Sequence, residues 1–382
     1  MSNLSTDLGA LETPCLILDR DRLEHNAKRF LEIAAHHAVA LRAHLKTAKS
    51  VDVARIVTGG DPQAKITVST LLEAEYFASH GFCDILYAVG IAANKLPRVA
   101  ALQQRSAARI MLITDNVPMA KAAAVFAGTQ GVTLDFLIEI DSGDHRSGVL
   151  PDSAALLEVA AALQAGHGIQ LRGVLTHAGH SYASKDPREI ARIAEDERAA
   201  VCQAAARLSE QGVDVQVVSL GSTPTVACAR DLSGVTEVRC GVYPFFDLDQ
   251  FGRGICDYAD LALSVLATVT GHQREAGHMI VDAGGLALSK DTAANGFLAD
   301  AGYGYVCDAR TLERYRGLSV TAVSQEHGKI AVPDAQAFDA LPIGSPVRIL
   351  PNHACFTAAA YPYYQVLEQG RLAACWSRVN GW

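Results

Sequence analysis

The sequence is short of the features that would mark a nucleic-acid binder, a membrane protein or a disulfide-stapled secreted domain. Acidic residues outnumber basic ones, 41 to 33, and the net charge is −8. Nothing basic is left over to neutralise phosphates, which excludes a nucleic-acid binder. No apolar run reaches membrane-spanning length. The start, Met1–Ala10, is polar and lacks the basic-then-apolar layout of a secretory signal, so a cytoplasmic protein is expected. There is no low-complexity stretch, Pro-rich linker or charge block. The nine cysteines are odd in number, and no two have C-x-x-C spacing. A disulfide framework or a zinc knuckle is thereby excluded, and most of the cysteines are expected to be small buried residues.

What is present is alternation. Short apolar, β-branched runs recur at Leu41–Lys46, Ile66–Thr70, Asp84–Val89, Arg109–Thr114, Leu134–Asp141, Leu171–His177, Val215–Leu220 and Glu237–Tyr243. Ala-rich helical stretches lie between them: Ser50–Val57, Leu71–Ser79, Met119–Ala127, Ser153–Ala165 and Pro187–Glu210. Nearly continuous apolar strands that alternate with helices form a parallel sheet covered by helices. Eight such repeats predict an α/β fold, a (β/α)8 TIM barrel. The competing open sheet would carry a Gly-rich fingerprint after its first strand, where this chain has Leu45-Lys46-Thr47. Beyond about residue 260 the texture turns to strands and turns: Leu261–His272, His278–Asp282, Leu318–Val323, Lys329–Val332 and Pro346–Leu350. These predict a second, mostly β domain, which the early run Cys15–Asp19 could join. The expected division is a barrel over 21–258 and a β domain of 1–20 plus 259–382.

In such a barrel the chemistry sits where strands run out into the following loops. Strand seven delivers Gly221-Ser222-Thr223-Pro224 there and strand eight Arg239-Cys240-Gly241. These loops are the fold's usual phosphate site, with glycines for close approach and hydroxyl and N–H donors; alone, Gly-Ser-Thr-Pro would be an ordinary loop. Strand one delivers Lys46. A lysine at the end of a buried strand is costly. It either snorkels, pairs with a carboxylate, or is an amine tuned to form a Schiff base. A phosphate loop, a Schiff-base lysine and His177 at the ring face together describe pyridoxal 5′-phosphate. A second constellation, Pro351-Asn352-His353-Ala354-Cys355, follows the run Pro346–Leu350. In an extended segment His353 and Cys355 point the same way and can share one divalent ion, zinc by donor type. From the H-x-C pattern alone the expected reading is a hydrogen-bonded core histidine and a buried apolar cysteine.

Thr13-Pro14, followed by Leu41-Arg42-Ala43-His44-Leu45-Lys46-Thr47, resembles the fold-type III pyridoxal-phosphate enzymes. Specifically, it is similar to the D-serine dehydratase/D-threonine aldolase branch of the alanine-racemase-like superfamily. The resemblance continues through Asp141–Val149, Gly173–Tyr182, Ser219–Thr225, Glu237–Phe246, Val281–Gly284, Gln325–Gly328 and Pro351–Cys355, and so spans the chain. One departure is Ala43, where members often carry proline. The resemblance implies that Lys46 bears the cofactor, that Arg146 faces its phenolic oxygen, and that His177, with Tyr182, flanks the ring. Ser222, Thr223, Gly241, Val242 and Tyr243 would hold the phosphate, and Arg239 would lie against the ring nitrogen.

The same resemblance makes His353 and Cys355 a metal pair, since dehydratases of the branch carry His/Cys here and many aldolases His/Asp. Zinc is expected, with manganese, cobalt or magnesium as alternatives. Gln325 and His327 would contact substrate carboxylate or the ion's water, or else form a polar turn. The implied activity is dehydration of a β-hydroxy D-amino acid, D-3-hydroxyaspartate or D-serine, to keto acid and ammonia by a homodimer. Retro-aldol cleavage to glycine and an aldehyde is the alternative. An amino-acid racemase, which would need a second base, and a non-catalytic cofactor carrier, which would need only the barrel, fit less well.

Overall fold

The computed structural model describes residues 8–382, so the first seven residues of the polar start lie outside it. The chain divides into two compact units. One is Lys28–Gly241 with Gly381–Trp382; the other is Val242–Asn380 with the described part of Met1–Ala27. The junctions fall inside helix Arg20–His36 and after Gly241, not at 20/21 and 258/259. The buried Asn26 amide explains this: it donates to Pro244 O at 3.1 Å and to Asp260 O at 2.7 Å, tying residues on both sides of the expected boundary into the β unit.

The first unit is a parallel barrel. Its sheet has nine hydrogen-bonded segments, of which Ala40–Leu41 and Ala43–His44 are one extended run interrupted at Arg42, leaving eight strands. That run closes the barrel, because Leu41 registers with Val238 and Ala43 with Ile66. Leu86, Met111, Ile113, Leu137, Leu175 and Val217 pack as one buried cluster across adjacent strands. Each is apolar because a parallel strand covered on both faces has no solvent side. Helix Pro187–Glu210 matches its expected span; Leu96–Arg105 and Arg20–His36 were not among the expected helices.

The closing seam is polar and dry. Arg42, fully buried, donates from Nε to Glu237 Oε1 at 2.7 Å and from Nη1 to Asp84 Oδ1 at 2.7 Å. Ser219 Oγ also donates to Glu237 Oε1, at 2.9 Å. Burial raises the Glu237 pKa, but Arg42 and Lys65 outweigh it and hold the carboxyl below its ordinary value. Its contribution to stability is therefore complete above the unfolded carboxylate value of about 4.3 and is lost as pH falls through the depressed folded value. Glu237→Ala leaves a buried guanidinium short of a partner and is expected to cost about 3–5 kcal/mol. A shifted urea midpoint at pH 7, shrinking towards pH 3, checks this.

The second unit is antiparallel. Strand Leu263–Gln273 pairs with Pro346–Leu350 and, past a bulge, with His278–Val281. The order His278–Val281, Gly328–Ala331, Arg314–Val323, Tyr305–Asp308, Pro346–Leu350 then returns to it, so these strands close on themselves. Cys15–Asp19 adds to Leu263–Gln273 as expected, followed by Tyr363–Glu368 and Arg371–Ser377, neither of which the sequence pattern had marked. All nine cysteines are free thiols, but only Cys240, Cys256 and Cys307 are buried, and Cys83 and Cys375 are exposed, so the expectation of mostly buried cysteines is corrected. Cys375 alternates outward on an edge strand, where a period of two places every second residue in solvent. Among the described residues no helix is long and apolar enough to cross a membrane.

Candidate active site

Strand one ends at His44, and Lys46 stands in the turn after it with an exposed side chain. This corrects the expectation of a costly buried lysine: the amine is solvated at the barrel mouth and needs no partner to be there. The turn's other lysine, Lys49, is committed to the buried Glu73 at 3.1 Å. His44 was quoted in the motif but given no role. Its Nδ1 accepts the Lys46 N–H at 3.4 Å, and burial, reinforced by Lys46, Arg239 and His177, pushes its pKa well below the ordinary range.

His177 follows strand Ile169–Thr176, and its Nδ1 lies 2.8 Å from Gly221 O. A carbonyl only accepts, so Nδ1 carries the proton and Nε2 keeps its lone pair. Burial, with the charges of Lys46, Arg146 and Arg239, lowers its pKa to about 3 despite that hydrogen bond. The ring stays neutral and apolar enough to lie against a flat ligand, with Tyr182 tilted at 6.4 Å between centroids. Arg146, 59% exposed, pairs with Glu139 at 3.7 Å. Arg239 is buried, donating to Ser219 Oγ at 2.6 Å and Thr176 O at 2.5 Å.

The loop after strand Val217–Leu220 was expected to offer two hydroxyls. Ser222 is spent locally: it caps helix Thr223–Cys228 by accepting from Thr225 N at 3.2 Å and touches Ser181 Oγ at 3.0 Å. Thr223 Oγ1, by contrast, is buried with no hydrogen-bond partner. Gly221, at φ +135°, leaves room nothing else could share, since a Cβ there would sit 2.5 Å from Arg239 O. At Gly241 a Cβ would come within 3.3 Å of His44 O. An orphaned buried hydroxyl beside two side-chain-free positions fits the phosphate of pyridoxal 5′-phosphate. Thr223→Ala is expected to weaken cofactor retention about tenfold, the value of one hydrogen bond to a charged group. Ser222→Ala should lower thermal stability instead, and equilibrium dialysis with a melting curve separates the two.

Sequence reasoning missed Glu197. It is fully buried on helix Pro187–Glu210 and accepts from Ala178 N at 2.8 Å and Gly221 N at 3.1 Å, pinning the His177 loop to the phosphate loop. Burial raises its pKa. The only sequence signal was an acid on the apolar face of an amphipathic helix.

In the β unit, His353 and Cys355 do not lie in an extended segment as expected. His353 is the N-cap of helix Ala354–Ala358 and Cys355 sits in its first turn. They meet nonetheless, because the turn folds the thiol back onto the imidazole. Burial opposes the imidazolium, but Asp291 and Cys355, with Asp247, outweigh it and raise His353 to about 11. An imidazole and a thiol are a donor pair that takes a divalent cation in place of the proton. Among the described residues no group of three or more His, Cys, Asp or Glu forms a metal cage. Gln325 and His327 are exposed on the turn after Arg314–Val323. Short helix Gly285–Leu288 links that turn to the His353–Cys355 helix: Leu286 N donates to Gln325 O at 3.1 Å, and Leu288 O accepts from Thr357 Oγ1 at 2.8 Å. Val242 and Tyr243 are buried directly after Gly241.

Residues 18–249 match the family described as alanine racemase, N-terminal domain, and residues 262–367 match the putative serine dehydratase domain. The chain is 45% identical to D-threo-3-hydroxyaspartate dehydratase of Delftia sp. strain HT23, covering 97% of this chain and 98% of that one. It is 31% identical to D-serine dehydratase of Dictyostelium discoideum, covering 96% of each. The solved Delftia enzyme superposes with a TM-score of 0.95, at 44% identity, covering 99% of this chain and 100% of that one. Its solved variants include one with a histidine changed to alanine, and one with the cysteine two positions further on changed to alanine, in a metal-free form. D-threonine aldolase of Filomicrobium marinum superposes with a TM-score of 0.81, at 26% identity, covering 97% of this chain and 96% of that one.

Proposed function

This chain belongs to the alanine-racemase-like family whose C-terminal part is a putative serine dehydratase domain, and from that premise we propose that it dehydrates a β-hydroxy D-amino acid. The substrate is D-threo-3-hydroxyaspartate or D-serine, and the products are a keto acid and ammonia. The protein is a pyridoxal-phosphate-dependent lyase. Identity of 45% with a dehydratase along nearly the whole of both chains is the observation that carries the reaction type.

Bound pyridoxal 5′-phosphate supplies an aldehyde for the amino group and a ring that draws electrons from Cα. Lys46 Nζ, solvated and uncommitted where Lys49 is not, holds the cofactor at rest and takes the α-proton of bound substrate. Thr223, with Gly241, Val242 and Tyr243, receives the phosphate, while Ser222 keeps the loop in shape. Neutral His177, with Tyr182, would support the ring face, and exposed Arg146 would meet the phenolic oxygen. Arg239, a donor without acceptor atoms, would lie against the ring nitrogen and would favour its unprotonated form, a weaker electron sink.

Help must then come from the leaving-group side. His353 and Cys355 would hold a divalent ion, zinc by donor type with manganese, cobalt or magnesium as alternatives, which would supply Lewis acidity to the departing β-hydroxyl. Gln325 and His327 are the proposed contacts for substrate carboxylate. The working division is a barrel that carries the cofactor and a β domain that carries the ion. A homodimer is supported by apolar Leu286 and Phe356, both exposed beside the His353–Cys355 turn. A thiol ligand that must stay reduced supports a cytoplasmic location.

The second reading, aldol cleavage, is favoured by the likeness to D-threonine aldolase. Cys355 and Arg239 weigh towards dehydration, since many aldolases of the branch carry Asp and Gln there. Ammonia release from D-threo-3-hydroxyaspartate and D-serine, but not from their L-enantiomers, is the expected result. No release from either D-substrate by the cofactor-loaded, metal-replete protein would sink the proposal.

A further inference from the structure

We propose that Asp291 is the positioning residue of the His353–Cys355 pair, holding the imidazole so that Nε2 faces the ion. The inference rests on the reading that this pair binds a divalent cation. Asp291 Oδ2 lies 2.8 Å from His353 Nδ1. A carboxylate only accepts, so Nδ1 is the protonated nitrogen and Nε2 is the one left to give a lone pair to a cation.

Asp291 is itself fixed. Its Oδ1 accepts from Ala293 N at 2.7 Å, so each carboxylate oxygen has one task. Its backbone O accepts from the buried Asn352 amide at 3.0 Å, and the same amide donates to Gly302 O at 2.8 Å. Asn352 immediately precedes His353. The residue that aims the ring is thereby anchored to the segment that carries the ring. Asp247 does a different job: its Oδ2 accepts from Ala354 N at 2.9 Å, and its Oδ1 caps its own helix through Gln250 N at 3.0 Å. Asp247 sets the peptide between the two ligands, whereas Asp291 alone of the two bonds the ring.

A carboxylate on the far nitrogen fixes tautomer and orientation and makes the near nitrogen more basic. Loss of such a partner is worth about ten- to hundredfold in metal affinity. The test uses holoprotein with pyridoxal 5′-phosphate, stripped of metal and titrated with Co2+. Affinity is read from the cobalt–thiolate absorption, and cofactor absorbance and the melting temperature are followed alongside. Asp291→Ala should weaken Co2+ binding about ten- to hundredfold with cofactor absorbance unchanged. Asp291→Asn, which keeps an acceptor oxygen and the backbone anchor, should fall between it and wild type. It also serves if the alanine variant fails to fold. His353→Ala should lose the cobalt–thiolate band.

Wild-type affinity in both Asp291 variants, with the band lost in His353→Ala, would overturn the role of Asp291 alone. No cobalt–thiolate band in the wild type would overturn the cation reading and this inference with it.

Discussion

Lys46→Ala is expected to lower turnover by at least about 10³-fold, the worth of a positioned acid–base group, and to remove the cofactor adduct that borohydride fixes to the chain. The turn Leu45–Ala48 holds the exposed Lys46 amine at the mouth of the barrel. Lys49, three residues on, cannot replace it, because its ammonium is paired with the buried Glu73 and leaving would strand that carboxylate. Lys49→Ala should accordingly keep the adduct while losing stability. Peptide mapping of the reduced wild-type protein decides the matter. The modified peptide should carry the label on Lys46, and a label on Lys49 or elsewhere would contradict the assignment.

Removing the divalent ion is expected to lower dehydration about a hundredfold or more, since a Lewis acid is worth several kcal/mol at a poor leaving group. The yellow cofactor should stay in place. Lys46, Thr223 and the glycines that make room for the phosphate all belong to the barrel unit, while His353 and Cys355 belong to the β unit. The two sets share no ligand, so one can be emptied without the other. His353→Ala should reproduce the effect of chelation. Cys355→Asp keeps a ligand but makes it harder, and should depress dehydration more than it depresses cofactor binding. Stopped assays before and after chelation, with the visible spectrum recorded on the same sample, measure both halves. Undiminished dehydration in metal-free protein would contradict the role of the pair.

Most of the barrel was legible because its signal is periodic and repeated. Eight apolar runs separated by Ala-rich stretches leave little freedom, and helix Pro187–Glu210 could be bounded to the residue by Asp186, its side-chain cap, and Pro187. The last strand was read too long. The regular strand is only Glu237–Val238; Arg239 N still donates to Leu220 O at 2.7 Å and Cys240 O accepts from His44 N at 2.8 Å, and the chain departs after them, an exit no apolar pattern marks. Strands Tyr363–Glu368 and Arg371–Ser377 lie at one end of their sheet and are only partly buried, so they are not the continuous buried runs by which the barrel strands stood out.

The candidate site was legible where chemistry is carried by rare residue types in a short motif, as in His44-x-Lys46 and His353-x-Cys355. It was illegible where a role depends on contacts between distant residues. Glu197 meets Ala178 and Gly221, and Asp291 meets His353, 62 positions away. Neither sits in a motif. The split duties of Ser222 and Thr223 were likewise invisible, because adjacent hydroxyls look alike until one of them caps a helix.

The central claim is that the β-hydroxyl leaves while the Cα–Cβ bond stays intact. Incubating the cofactor-loaded, metal-replete protein with D-threo-3-hydroxyaspartate and quantifying all products tests it directly. Dehydration gives oxaloacetate and ammonia in equal amounts, and this is the predicted result. Glycine and glyoxylate in equal amounts, without ammonia, would mean that the carbon–carbon bond breaks instead and would contradict it.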